Sequence, residues 1–224
     1  MLALTIAGFH PYYLRGVGDG ERVIAPAVVT LVAIHGTLAT AWFVLFLMQA
    51  SLIPTGHRRV HMRLGWGAAA VGLGVAVSGT LLAVASVRLT PVFQFWGMAY
   101  KEFLLVMFAE MAAFAALLGA GLWWRRRPER HRAMMLLASL SILAGATVRM
   151  PVFQPVYGQS GWPGIFGPIF TLGLLLVGAR TWLNGRVDIW LTGGYLALVA
   201  VYVTAGTLAR SSWWNAVLPS AFGF

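Results

Sequence analysis

The chain has 224 residues, 59% of them hydrophobic and only 10% charged, with a mean hydropathy of +0.79 and a formal net charge of +10. A water-soluble domain of this size cannot hide so much apolar surface, and apolar runs of about eighteen residues or more read as transmembrane helices. The positive charge falls in short arginine clusters between apolar runs, the placement of topology signals rather than of a nucleic-acid footprint, and the absence of cysteine excludes disulfides, thiolate metal sites and thiol catalysis.

The opening segment, MLALTIAGFHPYYLRGVGDGER, lacks a basic n-region followed by an apolar h-region. No cleavable signal peptide is expected, and residues 1–22 read as an extracytoplasmic segment. Six spans follow, over residues 23–53, 64–87, 102–124, 133–150, 165–183 and 187–209. At about 1.5 Å per residue each can cross a core about 30 Å thick, the fourth only just. Pro54, Thr55 and Gly56 end the first. The first, third and fifth connections carry Arg58, Arg59, Arg63, Arg125, Arg126, Arg127, Arg130, Arg132, Arg180 and Arg186; the opposite side has only Arg15, Arg22, Arg88, Lys101, Arg149 and Arg210. The positive-inside rule then places the first group in the cytoplasm and both termini outside, in a bacterial-type inner (plasma) membrane. Trp96, Trp162, Trp213 and Trp214 fall at the outer boundary and Trp123, Trp124 and Trp182 at the inner one, as an aromatic belt.

The tetrapeptide PVFQ occurs at 91–94 and again at 151–154, each preceded by Val-Arg, as VRLTPVFQ and VRMPVFQ. Before the first copy stands GHRRVHMRLGW and a helix, and before the second RRPERHRAMML and a helix. The two histidines, His61 and His131, lie farther apart than the two prolines, so a repeat requires a gap within the second helix of each unit. Both units enter the membrane in the same direction, as a parallel repeat does. The expected architecture is an all-α integral membrane protein of six transmembrane helices. Residues 23–94 and 102–154 form a duplicated four-helix core, and 155–224 add two helices and a short tail. Each PVFQ sits where a helix stops, as an interfacial stop signal or as one lip of an outward-facing pocket.

Ionisable groups inside a span are costly and need a reason. His35 lies near the middle of the first span, with Trp42 and Gln49 following at seven-residue steps on nearly the same face. Glu110 lies in the third span, and under the repeat it is the counterpart of His35. Arg88 and Arg149 close the second and fourth spans. His35, Glu110, Arg88 and Arg149 thus form a candidate polar cluster in the outer half, read as a packing network, a ligand or cofactor site, or a proton or solute path. Gly65, Gly72 and Gly79 recur at heptad spacing in the second span, with Gly74 and Ala76 between them. They permit close helix approach or room for a flat cofactor. His57 and His61 are four apart, half of a metal site with no third ligand in sequence. His61 and His131 open paired helices, where two imidazoles suit the axial positions of a haem; the other reading is a positive helix start that binds anionic lipid head groups. No nucleophile–base–acid pattern and no phosphate-binding glycine loop appears.

At these residues the chain resembles an uncharacterised family of bacterial predicted membrane proteins. That family's pattern is a His turn opening one helix and H-R-x-M-x opening another that ends in Thr-x-Arg or similar. His61, His131, Arg132 and Arg149 stand at the matching positions, and the resemblance covers roughly residues 30–154. More distantly, a four-helix core with histidines on paired helices is similar to the membrane domains of b-type cytochromes and ferric reductases. The functional expectation is a membrane protein binding a lipophilic ligand or redox cofactor, haem b or quinone, through His35, His61, His131, Glu110, Arg88, Arg149, Trp42 and Gln49. The alternatives are a non-enzymatic accessory or assembly subunit of a larger membrane complex, and a small-solute or proton transporter. Membrane lipids are the expected partners.

Overall fold

The computed structural model describes residues 1–15, 24–89, 94–150, 152–158 and 160–222. Over these the chain is mostly helical, with one short hairpin. The elements are α1 (Leu2–Arg15), α2 (Pro26–Leu52), α3 (Arg58–Leu89), β1 (Gln94–Phe95), β2 (Met98–Ala99), α4 (Tyr100–Trp123), α5 (Pro128–Ser141), α6 (Ala144–Thr147), α7 (Gln154–Tyr157), α8 (Trp162–Asn184), α9 (Ile189–Ala209) and α10 (Ser212–Phe222). Among them α2, α3, α4, α8 and α9 are long and apolar enough to cross a membrane. The protein is a helical multi-pass membrane protein, with five such helices where the sequence suggests six spans.

Local chemistry sets the helix ends. Pro26 and Pro128 stand at helix starts, where a missing N–H costs nothing. Gly56, at φ +80°, turns the chain between α2 and α3. Gly185 closes α8 in the left-handed conformation, and Asp188 caps α9 by accepting from the Leu191 N–H at 3.1 Å. α3 begins six residues earlier than expected and has 32 residues, about 48 Å at the usual rise, so it outruns a bilayer core. The first PVFQ leads into the β1–β2 hairpin, whose turn residues Trp96 and Gly97 both have positive φ, the signature of a type I′ turn. Pro91, Val92, Phe93 and Pro151 lie outside the described residues, as do Arg22 and Val23. The second PVFQ leads into α7 rather than a hairpin.

The fourth expected span, over 133–150, is not one helix. It breaks at Ile142 and Leu143 into α5 and α6. The Leu143 N–H tightens back to the Leu140 carbonyl at 3.1 Å. The Tyr202 hydroxyl takes the Ser141 carbonyl at 2.9 Å, and Thr147 Oγ1 donates to Leu143 and Ala144. A side chain entering the ladder and serving its freed carbonyl is a recognised cause of a break. The amino-terminal segment, expected as a plain tail, forms α1. It packs on α6 and α2, and Gly8 lies so close to the Ala146 backbone that no side chain fits there. The carboxyl-terminal tail likewise forms α10, whose Trp214 is buried and donates Nε1–H to the Lys101 carbonyl at 3.2 Å.

One core runs through the bundle, with α4 and α5 at its centre. Phe114, Leu137, Leu140, Phe166, Leu191 and Tyr202 are fully buried in it. α9 belongs to this core as fully as α3 does: Tyr202 stacks on Phe166 with centroids 3.9 Å apart. The outward side chains of α3, α8 and α9, such as Leu73, Leu81, Leu174, Leu175 and Leu196, are apolar, as a lipid-facing surface requires. Trp123, Trp182 and Trp213 are exposed as belt residues should be, whereas Trp96 and Trp214 are packed inside.

α2 and α3 run antiparallel with their two heptad stripes in register. His35 lies on Gly79, Trp42 on Gly72, and Gln49 on Gly65. A Cβ at Gly72 would fall 2.7 Å from Leu118 and 2.8 Å from Trp42, whereas at Gly67 it would meet nothing within 4 Å. Gly72→Ala is therefore expected to destabilise the protein by about 1–3 kcal/mol through overpacking, and Gly67→Ala to leave stability level or raise it by up to about 1 kcal/mol through helix propensity. Reversible unfolding in mixed micelles measures both; equal effects would contradict the register.

Candidate functional site

The polar residues of the bundle gather in two places joined by the α2–α3 seam. At the first, the break between α5 and α6 faces α4. Glu110 is half-buried there. The Gly145 N–H and the Arg149 guanidinium are the polar neighbours of its carboxyl, and the Tyr202 hydroxyl is close enough to feel its charge. Arg149 donates to the Gly145 carbonyl. Its guanidinium also lies over Phe9 of α1 at 4.8 Å and Phe95 of β1 at 5.9 Å, cation–π distances. Arg149 is thus pinned between the broken helix, α1 and the hairpin, with its charge toward Glu110.

His35 completes this group from α2. Its Nδ1 lies 3.0 Å from Ser78 Oγ, and Ser78 itself donates to the Val75 carbonyl at 3.3 Å. With that hydroxyl proton committed, His35 Nδ1–H is the donor to Ser78. The Arg149 charge reaches His35 as well as Glu110. Arg88 does not join them: it is exposed in the last turn of α3 and has no hydrogen bond or ion pair among the described residues.

An apolar groove opens between α4 and α9. Its volume is about 380 Å³, and its walls include Leu105 and Ala109 of α4 with Val201, Thr204, Ala205 and Leu208 of α9. Ala109 directly precedes Glu110, and Tyr202 turns from the same stretch of α9 into the core. Sequence reasoning missed Tyr202 because its partner, Ser141, lies far away in the chain. The groove's signal was present as small residues, Ala109, Ala200 and Ala205, on two helices.

Trp42 sits between the two places. It is 1% exposed, meets Phe114 edge-on at 5.1 Å and donates Nε1–H to Ser139 Oγ at 3.2 Å. Trp42 therefore closes the interior with a satisfied hydrogen bond and acts in packing.

The second place is at the arginine-rich end, where α3 and α5 begin. His61 donates Nδ1–H to the Gln49 carbonyl of α2 at 3.2 Å, and His131 donates Nδ1–H to the Gly121 carbonyl of α4 at 2.8 Å. A carbonyl can only accept, so each bond fixes the tautomer. The two rings stand perpendicular with centroids 6.2 Å apart. The Gln49 amide oxygen and nitrogen are both buried without a protein partner. Around the pair, Arg130 lies over Trp190 at 4.0 Å and Trp124 at 5.6 Å, Arg125 lies over Trp66 at 5.8 Å, and Arg186 reaches Glu129 at 3.5 Å. His57 is exposed and bonds Thr55 Oγ1 at 3.1 Å. Among the described residues no three His, Asp or Glu side chains converge as a metal-binding group.

Haem does not fit this packing. A macrocycle needs a flat slot beside the imidazoles, and the glycine faces that would make one are filled: Gly65 by Gln49, Gly72 by Trp42 and Leu118, and Gly121 by Met135. The glycine stripe is a packing device.

The two carbonyl bonds predict that at mildly alkaline pH both His61 and His131 carry their proton on Nδ1. Nitrogen-15 NMR of histidine-labelled protein checks this: each ring should show a protonated Nδ1 and an unprotonated Nε2. The reverse tautomer in either ring would contradict the geometry.

Comparison with protein-family models, with curated proteins and with solved structures finds no match to the chain.

Proposed function

We propose that the protein holds a lipophilic redox ligand of the quinone class, entering sideways from the bilayer. The observation that carries this reading is an ionisable residue, Glu110, set in α4 within range of the Arg149 charge, on a helix that also walls an apolar groove against α9. Intramembrane charge is expensive and marks function by default. A quinone has the matching shape, with a polar head bearing carbonyl oxygens and a long apolar tail. Arg149 can donate to such oxygens, Glu110 and His35 can exchange protons beside them, and the groove takes the tail.

The topology belongs to the same reading. Six crossings result when α5 and α6 together make the fourth, about 30 Å over residues 128–147 at the usual rise. The arginine-rich end then faces the cytoplasm, and the break, the hairpin and both termini lie at the outer side of a bacterial-type inner membrane. The like bonds of His61 and His131, each from the start of a second helix to a carbonyl near the end of the first, support descent from a duplicated two-helix unit akin to the paired His-turn membrane family. Discontinuous helices are common at membrane ligand sites, and the α5–α6 break stands at this one.

Organic extraction of purified protein is expected to yield a quinone. A short-chain quinone should quench tryptophan fluorescence saturably in nanodiscs. Glu110→Gln and, separately, Ala200→Phe, which fills the groove from an exposed position, should each weaken binding about tenfold, a loss of about 1.4 kcal/mol. A quinone-free extract together with binding unchanged by both substitutions would rule the reading out.

A further inference from the structure

The pair at the arginine-rich end is unused by the quinone reading. Both rings commit Nδ1 to a backbone carbonyl, the arrangement that orients metal-ligating histidines and leaves Nε2 as the donor. Two imidazoles bound to one ion at about 2 Å place their centroids roughly 5–6.5 Å apart, according to the angle at the metal; here the separation is 6.2 Å. Met135 lies one turn beyond His131 on the same face of α5. Its sulfur sits over Gly121, whose carbonyl holds the His131 ring. On the facing side Gln49 covers Gly65, one turn beyond His61, and its buried amide lacks a partner.

We propose that His61 Nε2, His131 Nε2 and the Met135 thioether form a copper(I) site closed by the Gln49 amide. The ligand set selects the ion in two ways. Imidazole with thioether is a soft, neutral set of the kind that favours copper(I) over harder divalent ions. The charge around it acts in the same direction: Arg58, Arg59, Arg63, Arg130 and Arg132 flank the two histidines in sequence, and the one carboxylate beside them in sequence, Glu129, is exposed and paired with Arg186 at 3.5 Å. Those positive charges disfavour a dication more than a monocation. The site involves neither Glu110 nor the groove, so it stands or falls apart from quinone binding.

The test is copper(I) competition against bicinchoninate under reducing conditions, using the purified protein in detergent. Wild type should bind one equivalent. His61→Asn and His131→Asn should each weaken binding at least tenfold, because asparagine keeps a donor for the carbonyl while removing Nε2. Met135→Leu should weaken it severalfold, and His57→Ala should leave it unchanged. X-ray absorption should report two nitrogen scatterers and one sulfur. Copper affinity surviving both asparagine variants, zinc(II) bound as tightly as copper(I), or a Soret band in the purified protein would each overturn the assignment.

Discussion

The seam between α2 and α3 is the contact on which both polar sites depend. Three large side chains of one helix, His35, Trp42 and Gln49, lie over three glycines of the other, Gly79, Gly72 and Gly65. In a bilayer no hydrophobic effect drives helices together, so close approach over small residues and interhelical hydrogen bonds must do so. The seam supplies both. It carries His35 to Ser78 and toward Arg149 at one end. It seats Trp42 against Phe114 and Ser139 in the middle. At the other end it brings the Gln49 carbonyl to His61. A shift of one heptad along the seam would dismantle both places together.

The second constraint is the break between α5 and α6. A helix interrupted inside an apolar bundle must satisfy its freed carbonyls from neighbouring side chains. Tyr202 serves Ser141, Thr147 serves Leu143 and Ala144, and Arg149 serves Gly145. Arg149 is thereby fixed within electrostatic range of Glu110, and α1 covers it with Phe9. The same local failure of the helix that needs these partners thus brings a guanidinium within range of the Glu110 carboxyl.

Much of this was written in the chain. Both heptad stripes, five long apolar helices among the six spans expected, and the place of His35 and Glu110 within two of those helices were legible, because helical periodicity and the cost of buried charge are local signals. Other features were not. The pairing of the two stripes depends on the register set by the turn around Gly56. The break at Ile142 carries no proline or polar run, and its cause, Tyr202, comes from a helix two crossings later. The α1 segment looked like a tail because proline at position 11 and the small-residue content masked a helix held by contact with Ala146. Arg88 and Arg149 read alike in sequence, each after a valine and before PVFQ, yet only Arg149 meets an interior partner. The His61–His131 likeness was visible as a motif, while the carbonyl acceptors that fix its chemistry were not.

The central claim is that a lipophilic ligand reaches Glu110 through the groove between α4 and α9. Photolabelling in nanodiscs with an azido-quinone, followed by peptide mapping, addresses it most directly. Adducts concentrated on Leu105–Glu110 of α4 and Ala200–Leu208 of α9, and displaced by unlabelled quinone, are the predicted result. Labelling spread evenly over the lipid-facing residues of α2, α3 and α8, with no competition, would contradict it.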